Sequence, residues 1–294
     1  GTSVVEIVTP KRKPLNQKED IIPGNPYSSH PELPKGWNAY SGSGDVTAEV
    51  VYANYGTKED YEKLAELGID IQGKIVLARY GRNFRGFKAK YAEQYGAAGV
   101  LIYTDPRDYG YSKGLVYPEG NNYNESAIQR GSVLTESFTG DPLTPFEPAL
   151  PLDGKTKIKR LNVNETSLHT IPVTPIGYGA AEEIMAWMKG KPVPGAWQGG
   201  LPYTYRLEGG PDLKVRLGVS QPKEFVRINN IVGTVKGSLY PDEWIILGCH
   251  YDAWAFGATD PGSGTAMLLT LSEALGKLVK EGHRPKRSIM IAHW

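Results

Sequence analysis

Residues 244–264 read WIILGCHYDAWAFGATDPGSG, and they indicate how the C-terminal part of the chain folds. The stretch opens with a short apolar run, 244–248, of the kind that forms a buried strand. Apolar residues then recur at helical spacing over 265–280, and Gly282 stands where a C-terminal cap is expected. A second strand-like run covers 288–292. Strand, loop, helix and strand predict a βαβ unit with two parallel strands.

Three polar residues follow the first of these strands: His250, Asp252 and Asp260. Ligands of open α/β sheets bind outside the carboxyl ends of the strands, so these residues are expected at a binding edge. Imidazole and carboxylate are both good zinc ligands, and Asp252 could hold the other ring nitrogen of His250. The alternative is that His250 is an ordinary polar residue at a strand end and that Asp260 caps the following helix.

Residues 248–264 resemble the glutamate carboxypeptidase II and transferrin receptor family, a branch of the aminopeptidase-like di-zinc peptidases. The resemblance implies that His250 binds one zinc ion, that Asp260 bridges two, and that Asp252 supports His250. Receptor members have lost zinc ligands, so the intact pair of His250 and Asp260 favours the peptidases.

The resemblance also implies that the chain is part of a larger enzyme. The family's next motif, Asp-Ala-Glu-Glu, would begin directly after Trp294 and would supply the general base and a further zinc ligand. Catalytic zinc takes about three protein ligands, which His250 and Asp260 cannot provide for two ions. The missing C-terminal part of the same protein is therefore an expected partner, and this chain alone is expected to be inactive.

Composition favours a water-soluble globular protein of roughly two domains: 294 residues, of which 40% are hydrophobic. A net charge of +1 gives no basic field for nucleic acid. No apolar run approaches the roughly 18 residues that a membrane span needs. The single cysteine, Cys249, excludes an internal disulfide framework.

Strands and helices alternate between residues 48 and 103, and the strings GKIVLARYG (73–81) and GAAGVLIY (96–103) resemble the protease-associated domain. We therefore expect an α/β protein in three parts. Residues 1–45 would be the N-terminal strand and linker of a split peptidase domain, 46–212 a β-rich α/β lid, and 213–294 the first part of the zinc peptidase domain. The peptidase sheet would be mixed and mainly parallel, with helices on both faces.

Two positions of the lid are candidates for substrate binding by this resemblance. Residues 82–86, RNFRG, match the loop whose arginine reaches the glutamate-binding pocket, and Arg85 is the matching residue. A guanidinium can grip a carboxylate through two hydrogen bonds. The alternative is a surface arginine before a helix. Ser132 stands where the family has a substrate-contacting asparagine. Its hydroxyl keeps one hydrogen-bond donor, but the shorter side chain reaches less far toward a substrate.

Residues 140–145, GDPLTP, match the family's structural calcium site at the boundary of lid and peptidase. The resemblance implies Thr144 and Glu147 as calcium ligands, and hard Ca²⁺ accepts either carbonyl or carboxylate oxygen. The alternative is a proline-rich turn without metal.

The sequence thus predicts a di-zinc exopeptidase that hydrolyses a C-terminal, acidic residue from peptides by means of a metal-activated water. The alternative is a catalytically inactive binding protein like the transferrin receptor. The resemblance further implies a homodimer, with an extracellular or periplasmic location as a secreted protein or an ectodomain.

Overall fold

The computed structural model describes residues 1–155 and 157–294. The chain forms two compact units, Gly1–Lys223 and Glu224–Trp294.

The first unit is organised around a seven-stranded mixed sheet with the strand order β10-β6-β5-β4-β11-β1-β2. Two small sheets accompany it, a parallel pair β3-β7 and an antiparallel pair β8-β9. The strands are β1 (Thr2–Thr9), β2 (Lys13–Pro14), β3 (Asn38–Ala39), β4 (Gly44–Tyr52), β5 (Ile75–Arg79), β6 (Gly99–Tyr103), β7 (Gly131–Ser132), β8 (Gly140–Asp141), β9 (Thr144–Pro145), β10 (Val173–Ile176) and β11 (Lys214–Ser220).

Four α-helices connect these strands: α1 (Lys58–Glu66), α2 (Arg85–Gln94), α3 (Pro106–Tyr109) and α4 (Tyr178–Met185). Short 3-10 turns lie at Tyr111–Lys113, Val163–Glu165 and Gly195–Trp197. The start of α1 is fixed by a capping box, in which the side chains of Thr57 and Asp60 each accept from the other's amide. Helices α1 and α2 lie within residues 48–103, where the sequence predicts that strands and helices alternate.

Half of the large sheet is parallel and half antiparallel. Strands β4, β5, β6 and β10 run parallel, whereas β11 pairs antiparallel with both β4 and β1. All residues of β5 and β6 are buried, which explains why both strands read as nearly continuous apolar runs. The predicted α/β class is confirmed.

Strands β1 and β11 lie outside the range 46–212 that the sequence analysis gave to the lid. Both belong to the seven-stranded sheet, where β11 lies between β4 and β1. The first compact unit therefore extends beyond that range at both ends, to residues 1 and 223. Pairing between strands some two hundred residues apart is decided by backbone hydrogen bonds and packing, which local sequence patterns do not reveal.

The second unit contains a three-stranded sheet of order β12-β14-β13 and one long helix. Its elements are β12 (Ile231–Val235), β13 (Tyr240–Cys249), α5 (Gly262–Lys280) and β14 (Arg287–His293). Strands β13 and β14 are parallel, and α5 connects them and packs against both, so the predicted βαβ unit is confirmed. Gly282 follows the helix with a φ of 89°, a left-handed conformation that glycine adopts without strain.

Among the described residues, no helix is both long enough and apolar enough to cross a lipid bilayer.

Candidate functional site

The second unit brings His250, Asp252 and Asp260 together at the carboxyl end of β13. The two ring nitrogens of His250 face different carboxylates. Nδ1 lies 2.9 Å from Oδ1 of Asp252, and Nε2 lies 2.9 Å from Oδ1 of Asp260. The imidazole is 40% exposed, so the cluster is open to solvent.

Small residues and one hydroxyl determine where this loop lies. A Cβ on Gly264 would come within 2.6 Å of Sγ of Cys249, so glycine allows the first turn of α5 to approach the end of β13. Thr265, on that same turn, donates its hydroxyl to the carbonyl of His250 at 3.1 Å. Gly257 turns the loop at a φ of 66°. His250 and Asp260 are thereby held at one end of the βαβ unit.

Asp260 is not the N-cap of α5. The cap position is Pro261, and no side chain makes a capping hydrogen bond there. The Asp260 carboxylate faces the imidazole of His250 instead. The sequence alternative, in which Asp260 serves as a helix cap, therefore has no support in the geometry.

The donor types of the cluster fit zinc. Nε2 of His250 and the carboxylate of Asp260 offer one nitrogen and one or two oxygens, and Asp252 holds the second ring nitrogen as a partner of a zinc-bound histidine does. Within residues 1–155 and 157–294, no group of three or more His, Cys, Asp or Glu side chains is arranged to hold a metal ion. The described residues thus offer part of a zinc shell.

The electrostatics of the cluster raise the pKa of His250 above its ordinary value. The hydrogen bond with Asp252 raises the pKa of His250, partial burial lowers it, and the charge of Asp260 raises it further. Zinc binds the neutral imidazole, so a metal ion competes with protonation of the ring.

The predicted substrate residues Arg85 and Ser132 also come together, in the first unit. Arg85 is the first residue of α2. Its Nη1 donates to the main-chain carbonyl of Ser132 at 3.1 Å. A Cβ on Gly131 would lie 2.4 Å from the Arg85 guanidinium, and one on Gly86 would lie 2.4 Å from the carbonyl of Val133. Both glycines therefore make room for this close approach.

The Arg85 guanidinium retains unused donors. Its Nε is buried without a hydrogen-bond partner. Within the described chain it forms no ion pair with a carboxylate, and two aromatic rings lie near it. The guanidinium carbon lies 5.1 Å from the ring centroid of Phe84 and 5.9 Å from that of Tyr80. Such a cation is ready to accept a negatively charged group.

Ser132 contributes its main chain rather than its hydroxyl to the Arg85 contact. Its side-chain oxygen accepts the amide of Leu134 at 3.0 Å and so stabilises the turn that follows β7. Whether the hydroxyl also contacts substrate stays a prediction.

Lys88 is a residue that the sequence analysis did not single out. It lies one turn after Arg85 on α2 and is fully buried. Its ammonium donates to the carbonyls of Tyr55 and Gly81 and to Oδ1 of Asn83. The available signal was its position beside Ala89 and Ala92 on the buried face of α2.

The predicted calcium residues lie at the small hairpin β8-β9. Thr144 is 2% exposed, and its hydroxyl oxygen is buried without a hydrogen-bond partner. Glu147 is exposed and donates its amide to the carbonyl of Thr144 at 3.2 Å. A buried hydroxyl without a partner fits the chemistry of an oxygen ligand for a hard cation.

Comparison with known proteins agrees with this geometry. Residues 230–294 match peptidase family M28, and residues 46–141 match the PA domain. A glutamate carboxypeptidase 2 homolog of Caenorhabditis briggsae is 38% identical over 268 residues, which cover 88% of this chain and 34% of that protein. Aminopeptidase NAALADL1 of Rattus norvegicus is 37% identical, over 90% of this chain and 36% of the relative.

A probable glutamate carboxypeptidase of Arthroderma benhamiae is 40% identical over 94% of this chain and 39% of its own length. The chain thus spans between 34% and 39% of these three relatives. The identity extends across both compact units, and both family segments are present. Residues 230–294 therefore belong to peptidase family M28 and residues 46–141 to the PA domain, in a chain that is similar over most of its length to glutamate carboxypeptidase-like proteins.

Proposed function

We propose that this chain provides the lid and the first zinc ligands of a zinc exopeptidase that removes a C-terminal acidic residue from peptides. The family assignment supports the exopeptidase class. The half-buried guanidinium of Arg85, whose Nε has no hydrogen-bond partner, is the observation that carries the acidic preference.

In this proposal, His250 and Asp260 hold zinc, and Asp252 keeps the ring of His250 in the required orientation. Because a carboxylate has two oxygens, Asp260 can serve two ions. Bound zinc would polarise the scissile carbonyl and lower the pKa of a water molecule. The imidazole can bind metal once its Nε2 proton is released, and its hydrogen bond to Asp252 persists through Nδ1.

Arg85 acts on the substrate rather than on the metal. With Nη1 committed to the carbonyl of Ser132, the donors that remain include the buried Nε. A carboxylate that accepts from two nitrogens of one guanidinium is oriented as well as attracted. The fixed contact to Ser132 reduces the conformational freedom that Arg85 would lose on binding.

A calcium ion at Thr144, with Glu147 as a second ligand, completes the proposed metal content. The support is the buried hydroxyl oxygen of Thr144, which has no hydrogen-bond partner. A homodimer and an extracellular or periplasmic location are part of the same proposal, and they rest on the resemblance to glutamate carboxypeptidase II.

The test is hydrolysis of an N-acetylated dipeptide with C-terminal glutamate by the full-length protein that carries this chain. The blocked amine is no substrate for an aminopeptidase, so release of glutamate identifies a carboxypeptidase. We expect turnover that a chelator abolishes and zinc restores. Cleavage of free-amine peptides only would point to an aminopeptidase, and no cleavage of either would point to a receptor-like binding protein.

A further inference from the structure

Lys88 links two loops that lie at the carboxyl ends of the parallel strands β4 and β5. Its ammonium donates to the carbonyl of Tyr55 in the first loop, and to the carbonyl of Gly81 at 2.9 Å and Oδ1 of Asn83 at 2.7 Å in the second. Asn83 in turn donates from Nδ2 to the carbonyl of Gly56 at 3.2 Å. All three N–H donors of the lysine are thus used, and both loops are tied to α2.

The second loop has a backbone conformation that needs such support. Arg82 has a φ of 66° and Gly81 a φ of 114°, and a left-handed conformation is uncommon for a residue with a side chain. Such conformations persist where the surrounding structure fixes them. Lys88 binds the carbonyl of Gly81 and the side chain of Asn83, the two residues that flank Arg82.

Burying the Lys88 ammonium costs free energy that a packing role alone would not require. Burial lowers its pKa to about 7, the charges of Asp60 and Asp108 favour the ammonium, and those of Arg79 and Arg85 oppose it. Its hydrogen-bond acceptors are neutral carbonyl and amide oxygens. An apolar side chain of similar length would fill the same space without burying a charge. The benefit of the ammonium therefore lies in the loop that it holds.

We infer that Lys88 is a positioning residue, which holds the loop 81–84 in the conformation that directs Arg85 toward the substrate carboxylate. Arg85 directly follows this loop and lies one helical turn before Lys88 on α2. The inference about substrate rests on the proposed function of Arg85. The inference about the loop rests on the hydrogen bonds of Lys88 alone.

The first test compares Lys88→Met with Lys90→Met in the full-length protein. Lys90 lies on the same helix and is half-buried, and its ammonium lies 5.9 Å from the Phe87 ring. We expect Lys88→Met to lower the ratio of kcat/KM for C-terminal glutamate over leucine about tenfold, because a displaced guanidinium binds the carboxylate poorly. Lys90→Met should leave this ratio unchanged. A lower Tm with an unchanged ratio in Lys88→Met would overturn the inference.

The second test asks whether Lys88 acts through Arg85. If it does, the double variant Lys88→Met/Arg85→Ala should show the same ratio as Arg85→Ala alone, because residues that act as a unit are not additive. Independent, multiplied losses would overturn the inference. If Lys88→Met does not fold, Asn83→Ala is the alternative variant. It removes one hydrogen-bond acceptor of the Lys88 ammonium and leaves the other two in place. It should lower the ratio of glutamate to leucine hydrolysis in the same direction.

Hydrogen exchange at the amide of Asn83 separates the two parts of the inference. This amide donates to the carbonyl of Gly81 at 2.8 Å, inside the loop. We expect exchange about tenfold faster or more in Lys88→Met and unchanged in Lys90→Met. Unchanged exchange in Lys88→Met overturns the role of Lys88 whatever Arg85 does. Faster exchange together with an Arg85→Ala variant of unaltered acid preference overturns the proposed function of Arg85 and leaves the loop role of Lys88 standing.

Discussion

Replacement of Arg85 by alanine should weaken the binding of acidic substrates while neutral substrates are little affected. In the free protein, Nη1 of Arg85 donates to the carbonyl of Ser132 and Nε is buried without a partner. A substrate carboxylate would therefore form a charge-assisted hydrogen bond with Nε, a donor that has no other partner among the described residues. Hydrogen bonds to charged groups contribute about 1.5–3 kcal/mol, which corresponds to roughly a 10- to 100-fold change in affinity.

The assay measures kcat and KM of the full-length protein for matched peptides that end in glutamate or leucine. We expect Arg85→Ala to raise KM for glutamate by that factor, to change kcat little, and to change KM for leucine less than threefold. Arg82→Ala is the matched control, because Arg82 lies in the same loop, exposed, with its guanidinium 5.5 Å from the Tyr55 ring centroid. Equal losses for both substrates would show that Arg85 supports the fold of the lid instead.

Two further predictions concern the surroundings of Arg85 and the stability of the lid. In Gly131→Ala, the new Cβ would lie 2.4 Å from the Arg85 guanidinium and would displace it. The ratio of glutamate to leucine hydrolysis should therefore fall toward that of Arg85→Ala. An unchanged ratio would show that Gly131 does not determine the position of the guanidinium. Burial raises the pKa of Glu93, but hydrogen bonds from His169 and Thr170 outweigh burial and lower it to about 2. The folded pKa lies below the unfolded one, so this carboxylate stabilises the fold above about pH 4.5, and that stabilisation is lost as the pH falls toward 2. Between pH 6 and pH 3, the free energy of unfolding measured with urea should fall less in Glu93→Gln than in wild type. An equal decrease in both proteins would refute the role given to Glu93.

The βαβ unit could be predicted from sequence because each of its elements has a local signal. The apolar run of β13, the helical spacing of α5 and the glycine at 282 each specify structure within a few residues. The start of α5 was predicted three residues late, at 265 instead of Gly262. Residues 262–264 are Gly-Ser-Gly, a sequence of low helix propensity. Their close packing against Cys249 and the preceding loop places them in the helix in spite of this propensity.

The role of Lys88 could not be predicted, because lysine is among the residues that are almost never fully buried. Its partners come from two loops that are separated from it by up to 33 residues. In the same way, no local pattern indicates that β11 lies between β4 and β1. In both cases at least one decisive partner is distant in sequence, so no local pattern contains the whole set of contacts.

The zinc content of Asp260→Asn tests the central claim, that His250 and Asp260 form part of a zinc centre. Asparagine caps helices about as well as aspartate, and Asp260 does not cap α5, so the fold should survive. Asp242→Asn, on the exposed part of β13, is the matched control.

Elemental analysis of the full-length protein is the measurement. We predict two zinc ions per chain in wild type and in Asp242→Asn, and the loss of at least one in Asp260→Asn, because a neutral amide cannot bridge two cations at comparable strength. Two zinc ions retained by Asp260→Asn, or none bound by the wild type, would contradict the account.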